Sequence, residues 1–368
     1  MKLRFAVALA AAALGASAAV HPPVASAAVD VAANPKLQKL FDSYGNASKG
    51  NAWTGGAMAS SVRLPDGRTV YVFDNTYLGK VKPNGSRDAT TPRIHSSYVV
   101  QEKSGALSRT ITGPGGTDLF PSPLPNTFYV PAGAVVEGST IYQTLWLVEA
   151  DAASIPIRVD VAPVSTTTFA VGAITTNRFL IANTVQPDAQ FYPTYYGSAV
   201  LADKDYTYVY GYENTYVGFA CFAHLARVPA GHFLDGAVEY WDGAAWSAVP
   251  VMSARIFGGL NLGQPHFSVV KSAQGYRALT QGYTTSDLTA WTAPTPTGFY
   301  KRAHVYTYTP DPAQVTRDFN VPSDAHPIEL PQYSMAKKLV FAYLRDGGPD
   351  TSSNVAKYRP VFMTGTLS

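Results

Sequence analysis

The chain has 368 residues, 46% of them hydrophobic and 14% charged, enough apolar material for one large domain or two medium ones. A formal charge of +3 with no basic cluster argues against nucleic acid as a partner. A single cysteine, Cys221, excludes intrachain disulfides and cysteine-built metal sites, and its apolar surroundings in "YVGFACFAHLARV" mark it as a buried structural thiol.

Residues 1–27 read as a signal peptide and cleavage region. "MKLR" is the positive segment, "FAVALAAAALG" the apolar one, and small-residue cleavage sites lie at residues 16–18 and 25–27. The expectation is a secreted, extracellular protein with no stable membrane insertion after cleavage. Residues 28–49 are expected to form an N-terminal extension with a short helix, because "NPKLQKLFDSYG" (residues 34–45) places Leu37, Leu40 and Phe41 on one helical face.

Residues 50–368 are rich in Tyr, Thr and Val, and the chain carries 30 Gly and 27 Pro, a composition of strands and turns. Five times, an apolar strand runs into a turn and returns as a second strand rich in aromatics. The turns fall at Asp66 and Gly67, Glu137 and Gly138, near Asp203, at Gln274 and Gly275, and around Ser334. Intervals of roughly 60–72 residues leave room for a four-stranded blade each time. The expected fold is all-β, a five-bladed β-propeller in a single domain after the signal peptide. The rival is a β-sandwich with long insertions, which gives no reason for even spacing.

In a propeller the loops at one mouth of the channel form the binding surface. The starts of the first strands offer Trp53, Gly55, Gly56, Ala57, Tyr195, Tyr196, Ser198, His266, Ser268 and His326. The ends of the second strands offer Asp74, Asn75, Glu149, Glu213, Arg345 and Asp346. With alternating strand direction, these two sets are expected at opposite mouths. Rings beside carboxylates and histidines suit a carbohydrate, whose C–H faces stack on aromatics while its hydroxyls need directed partners. Glycoside cleavage needs two carboxyl groups, one protonated and one ionised. Each residue also has a plainer reading: Asp74 as a turn cap, Glu329 as the partner of a buried arginine such as Arg359, the histidines as structural groups, Trp241 and Trp246 as blade packing. No HExxH, GxSxG or phosphate-binding loop is present, so zinc protease, serine hydrolase and nucleotide chemistry find no support.

Several ordered stretches, "WTGGAMASSVRLPDGRTVYVFDNTYLG", "RIHSSYVVQ", "YYGSAVLADKDYTYVYGY", "LARVPAGHFLDGAVEYWDGAAWS" and "AHPIEL" followed by "KYRPVF", resemble secreted bacterial propellers of the DUF4185/DUF5005 type. The DUF4185 group includes endo-D-arabinanases, so the resemblance implies a glycoside hydrolase fold and an arabinan-type polysaccharide substrate. Two positions depart from the pattern. Ala57 stands where relatives carry an acid after two glycines, and Asn75 stands in the acid's place of a "GDT"-like strand end. An amide neither ionises nor readily accepts a proton.

The expected function is therefore a glycoside hydrolase-like protein acting on a cell-wall or environmental polysaccharide, endo-acting on arabinan. Asp74 and Glu329 are the catalytic candidates, and Trp53, Asn75, His95, Tyr196, His266 and His326 the substrate-binding ones. The competing expectation is a non-catalytic carbohydrate-binding propeller that has lost the family carboxylates at Ala57 and Asn75. No cofactor or metal ligand set is expected, a structural cation in the channel stays open, and the protein is expected to be a monomer whose partner is a polysaccharide or oligosaccharide.

Overall fold

The computed structural model describes residues 29–150, 155–185, 191–215, 220–259, 262, 265–282, 285–299, 301–309, 326–344 and 351–367. The signal segment 1–27, Arg345 and Asp346 lie outside them. The described residues form antiparallel sheets and one α-helix. The chain opens with strand β1 (Val29–Ala33) and helix α1 (Pro35–Ala47). The first sheet holds β2 (Trp53–Arg63), β3 (Thr69–Leu78), β4 (Arg93–Gln101) and β5 (Leu107–Ile111). The second holds β6 (Thr127–Glu137), β7 (Thr140–Glu149) and β8 (Pro156–Ser165). The third is built from β9 (Ala182–Val185), β10 (Phe191–Ala202), β11 (Tyr206–Thr215), β12 (Ala220–Pro229), β13 (Glu239–Trp241), β14 (Trp246–Ser247) and β15 (Phe257–Gly259). The fourth holds β16 (Ser268–Ser272), β17 (Gly275–Gln281), β18 (Asp287–Ala293) and β19 (Lys301–Thr307). The last combines β20 (Ile328–Glu329), β21 (Lys338–Leu344) and β22 (Pro360–Leu367) with β1.

Each of the five repeats is a hairpin made of the first two long strands of its sheet: β2–β3, β6–β7, β10–β11, β16–β17 and β20–β21. The first strands meet one another in cyclic order, β2 with β6, β6 with β10, β10 with β16, β16 with β20, and β20 back with β2. The result is an all-β, propeller-like fold. Its cores lie between neighbouring sheets: Val70, Val72 and Tyr98 of the first pack with Leu145 and Leu147 of the second, and Leu279 and Leu288 of the fourth with Phe341 and Tyr343 of the last. A strand pressed between two sheets buries both faces, which is why "VYVF", "LWLV" and "LVFAYL" are continuous apolar runs rather than alternating ones.

At the junction of the second and third sheets the backbones come too close for side chains. A Cβ on Gly133 would sit 2.8 Å from Val200 N, and one on Gly197, whose φ is +104°, 2.8 Å from Thr144 Cβ. Thr144 Oγ1 uses that closeness, lying 2.7 Å from Gly133 O and 2.8 Å from Gly197 O, so one hydroxyl ties both inner strands.

The segment read as an extension is woven into the body. β1 pairs with β22 along its whole length, from Val29 opposite Leu367 to Ala33 opposite Met363. Helix α1 starts where the Asn34 side chain accepts from Leu37 N at 3.1 Å and Pro35 supplies a preset φ. Its buried face, Leu37, Phe41 and Gly45, covers Trp53, Phe73 and Phe362.

Candidate active site

Because a hairpin folds back on itself, the start of its first strand and the end of its second lie at the same end. Trp53 pairs with Leu78, Thr127 with Glu149 and Thr194 with Glu213. The expectation of two opposite mouths is therefore corrected: the sets share one mouth, and all five sheets contribute to it.

Asp74 lies towards this end of β3, between Ala57 of β2 and Ser96 of β4. It is 4% exposed, and its Oδ1 finds no hydrogen-bond partner among the described residues. Asn75 Nδ2 donates to Oδ2 at 2.7 Å. Burial pushes the Asp74 carboxyl up from 3.8 to about 6, against the pull of His326, Arg93, His95 and an Asn75 backbone bond. Two of those neighbours sit in the left-handed region that side chains seldom enter, Asn75 at φ +45° and His326 at φ +44°. Backbone strain of this kind gathers where a site must be shaped.

His95, on β4, is fixed from two sides. Its backbone N–H donates to Asp118 Oδ1 at 2.5 Å, and its Nδ1 lies 3.1 Å from Asp118 Oδ2. An ionised carboxylate only accepts, so Nδ1 carries the proton in that contact and Nε2 is left for a ligand. The ring stacks on Phe128 of β6 with centroids 4.0 Å apart. Across the mouth His326 stacks on His266 at 3.9 Å, and His266 packs at 5.1 Å against Trp146 of β7. Trp146 in turn meets Tyr212 of β11 at 5.5 Å, and Tyr212 meets Tyr195 of β10 at 5.2 Å. Ring contacts thus run from His326, which acts electrostatically on Asp74, through His266 into the buried core of the second and third sheets.

Other expected residues lie behind these rings. Trp53 is fully buried against Phe41 and Phe73, and Tyr196 is fully buried with its hydroxyl 2.8 Å from Ser253 Oγ. Both support the mouth and present no surface to a ligand. Trp241 and Trp246 pack on each other at 5.5 Å, and Arg227 covers Trp246 at 4.1 Å.

Glu329 is buried on β20, and its partner is Arg277, not Arg359. Arg277 Nε donates to Oε2 at 2.8 Å and Nη2 closes on Oε1, forming a two-pronged ion pair. Burial pushes the Glu329 carboxyl up and Arg277 pulls it back. Glu329 lines a cavity of about 300 Å³ in the channel, walled by residues 59–63, 133–136, 198–202 and 267–271; Asp74 is not part of that wall. Arg359 instead donates from Nε to Thr54 O at 2.8 Å and meets Asp42 at 3.3 Å.

Glu213 and Asp160 are also buried carboxylates, the latter paired with Arg158. Burial works against the charge of Glu213, but His224 Nε2 at 2.8 Å and the Arg255 guanidinium outweigh that, holding its carboxyl below the ordinary range. Glu149 is exposed at the end of β7. Among the described residues, no three His, Cys, Asp or Glu side chains converge as a metal site would require, and no helix there is long and apolar enough to cross a membrane.

Sequence reasoning missed Asp118, Phe128 and Trp146. Phe128 and Trp146 obey the rule used for the other repeats, since they open and close the hairpin strands of the second one. Asp118 carries no such signal, because it sits in a loop 23 residues from the histidine it orients.

These features define an all-β propeller-like protein with a buried carboxyl and two imidazoles, His95 and His326, near one mouth. The chain belongs to the DUF5005 family, described as a domain of unknown function, whose model matches residues 38–364. No curated protein matches it. Among solved structures, it resembles a hydrolase candidate from Bacteroides ovatus ATCC 8483 with a TM-score of 0.66 at 17% identity, covering 94% of this chain and 93% of that one. A family 117 glycoside hydrolase from Zobellia galactanivorans gives 0.48 at 12% identity, covering 93% and 90%. A GH43 β-xylosidase/α-arabinofuranosidase from a compost microbial metagenome also gives 0.48 at 12%, covering 86% and 93%.

Proposed function

We propose that this chain is a secreted glycoside hydrolase whose five sheets act as five blades and whose substrate is a polysaccharide, with arabinan as the first to test. The observation that carries the reading is Asp74, a buried carboxyl raised to about 6 at the mouth, within electrostatic reach of the imidazoles of His95 and His326. A carboxylic acid tuned toward neutrality can protonate a departing glycosidic oxygen. In this reading Asp74 gives its proton to that oxygen as the C–O bond breaks. Water adds to the anomeric carbon, and its proton passes to Nε2 of His95, which Asp118 orients. Phe128 backs the His95 ring, His266 and His326 hold sugar hydroxyls, and Glu329 is a structural carboxylate.

A binding-only reading is favoured by one observation. Asn75 occupies Asp74 Oδ2, and Oδ1 has no surface open to solvent, so a sugar must displace Asn75 before any proton can move. Incubation of the protein with arabinan, arabinogalactan and related glycans separates the two. Hydrolysis predicts released oligosaccharides, with Asp74→Asn slowed about 10²–10⁴-fold. Glycan retention without product, identical in Asp74→Asn and the parent, would replace the enzyme with a binder.

A further inference from the structure

At the mouth end of the first sheet stand two arginines, Arg93 and Arg87, with no carboxylate in ion-pair contact among the described residues. Arg93 opens β4 at the rim, exposed, with Tyr77 as its partner on β3. Its guanidinium carbon lies 5.9 Å from the ring centres of both Tyr77 and Tyr358, two rings that meet edge to face at 5.2 Å. Among the described residues it forms no ion pair. Arg87 lies against the same Tyr77 ring, 4.8 Å from its centre, and is 3% exposed. Its donors go to Thr54 Oγ1, Thr54 O and Thr351 O at 2.7–2.8 Å, and among the described residues no carboxylate is in ion-pair contact with it.

The nearby acids are already engaged. Asp118 is held by His95, and Asp88 by Lys82. Arg93 acts electrostatically on the Asp74 carboxyl, whose burial works against its charge. A buried arginine met by one hydroxyl, two carbonyls and a ring face keeps its positive charge, and it stands beside the Tyr77 ring at the rim that Arg93 extends. The planar guanidinium is the group best shaped to take an oxyanion with two parallel hydrogen bonds.

We propose that the glycan bound at this mouth carries an acidic unit, a carboxylate or a sulfate, which Arg93 takes while the half-buried Tyr77, backed by the buried Tyr358, lies beside the same sugar. The proposal rests on the glycoside reading above and names the substrate class within it. Arg87, which does not reach the ligand, is a positioning residue that holds Tyr77 and the local field.

The test compares dissociation constants at fixed ionic strength for polygalacturonate, a sulfated galactan and neutral arabinan, with the parent, Arg93→Gln, Arg93→Lys and Arg109→Gln. Arg109 also stacks on a ring, Phe169 at 4.8 Å, and serves as the arginine control. The expected result is at least tenfold tighter binding of one acidic polymer over arabinan. That ratio falls to about one in Arg93→Gln, is partly kept in Arg93→Lys and is unaltered in Arg109→Gln. The preferred polymer tells carboxylate from sulfate. Equal affinity for acidic and neutral polymers, or an unchanged ratio in Arg93→Gln, overturns the proposal. If arabinan is then still cleaved in an Asp74-dependent way, the hydrolase reading stands without it; if no glycan is bound or cut, both fall.

Discussion

Asp74 and Glu329 are both buried carboxyl groups on strands near the channel, and burial pushes both upward. Their surroundings differ in one respect. Glu329 meets an arginine fork from the neighbouring sheet and accepts nothing from a ligand-facing group, while Asp74 has an amide on one oxygen and nothing on the other. A buried ion pair fixes two sheets relative to each other. A buried carboxyl without a cation in hydrogen-bond reach stays titratable near neutral pH, the property an acid catalyst requires. In the proposed hydrolase reading the two groups therefore divide the work: Glu329 holds neighbouring sheets together and Asp74 is the carboxyl offered as proton donor.

The sharpest way to break that division is to remove the fixed partner. Glu329→Ala leaves the Arg277 guanidinium buried without its counter-charge, a change that costs about 3–5 kcal/mol in comparable buried pairs. Urea denaturation of parent and variant measures it. A loss under about 1 kcal/mol would mean that water or another acceptor reaches Arg277, and Glu329 would no longer be the pin.

The same comparison predicts a pH signature at Asp74. The folded carboxyl titrates near 6 and the unfolded one near 3.8. Between those values the folded state keeps a proton the unfolded state has lost, so stability falls as pH rises from about 4 to 6 and levels off above. At 1.36 kcal/mol per pH unit the span is about 2–3 kcal/mol. Asp74→Asn removes this dependence and stands above the parent by that amount at pH 7, converging with it below pH 4. Denaturation midpoints across pH 4–7 check it; parallel curves for parent and variant would place the Asp74 carboxyl in ordinary solvent.

Much of the framework is legible in the chain itself. Turn pairs such as Asp66 with Gly67 and Glu137 with Gly138, each followed by a run of apolar residues buried on both faces, mark the hairpins. The pairing of β1 with β22 is not legible, since "VDVAA" is too short and too weakly patterned to declare a partner more than 300 residues away. At the site, Asp74, His95, His266 and His326 follow from their places at strand ends. The roles of Asp118 and Arg277 do not, because the first acts from an irregular loop and the second crosses between sheets to a partner 52 positions on. Charge pairing over such separations is a property of the closed ring, and no local spacing encodes it.

The smallest predicted effect tests whether the mouth is shaped at a cost in stability. His326 holds φ at +44°, a conformation that is penalised for any residue with a Cβ and free for glycine. Its ring, stacked on His266 at 3.9 Å, holds it there. His326→Gly removes the backbone penalty and the ring contact together, while His326→Asn keeps a side chain but tolerates the left-handed region better. If strain is stored for function, the glycine variant gains up to about 1 kcal/mol in urea while losing glycan affinity, and the asparagine variant falls between. A destabilised glycine variant would show instead that the imidazole stack outweighs the backbone term, and that His326, like Glu329, belongs to the structure that holds the mouth.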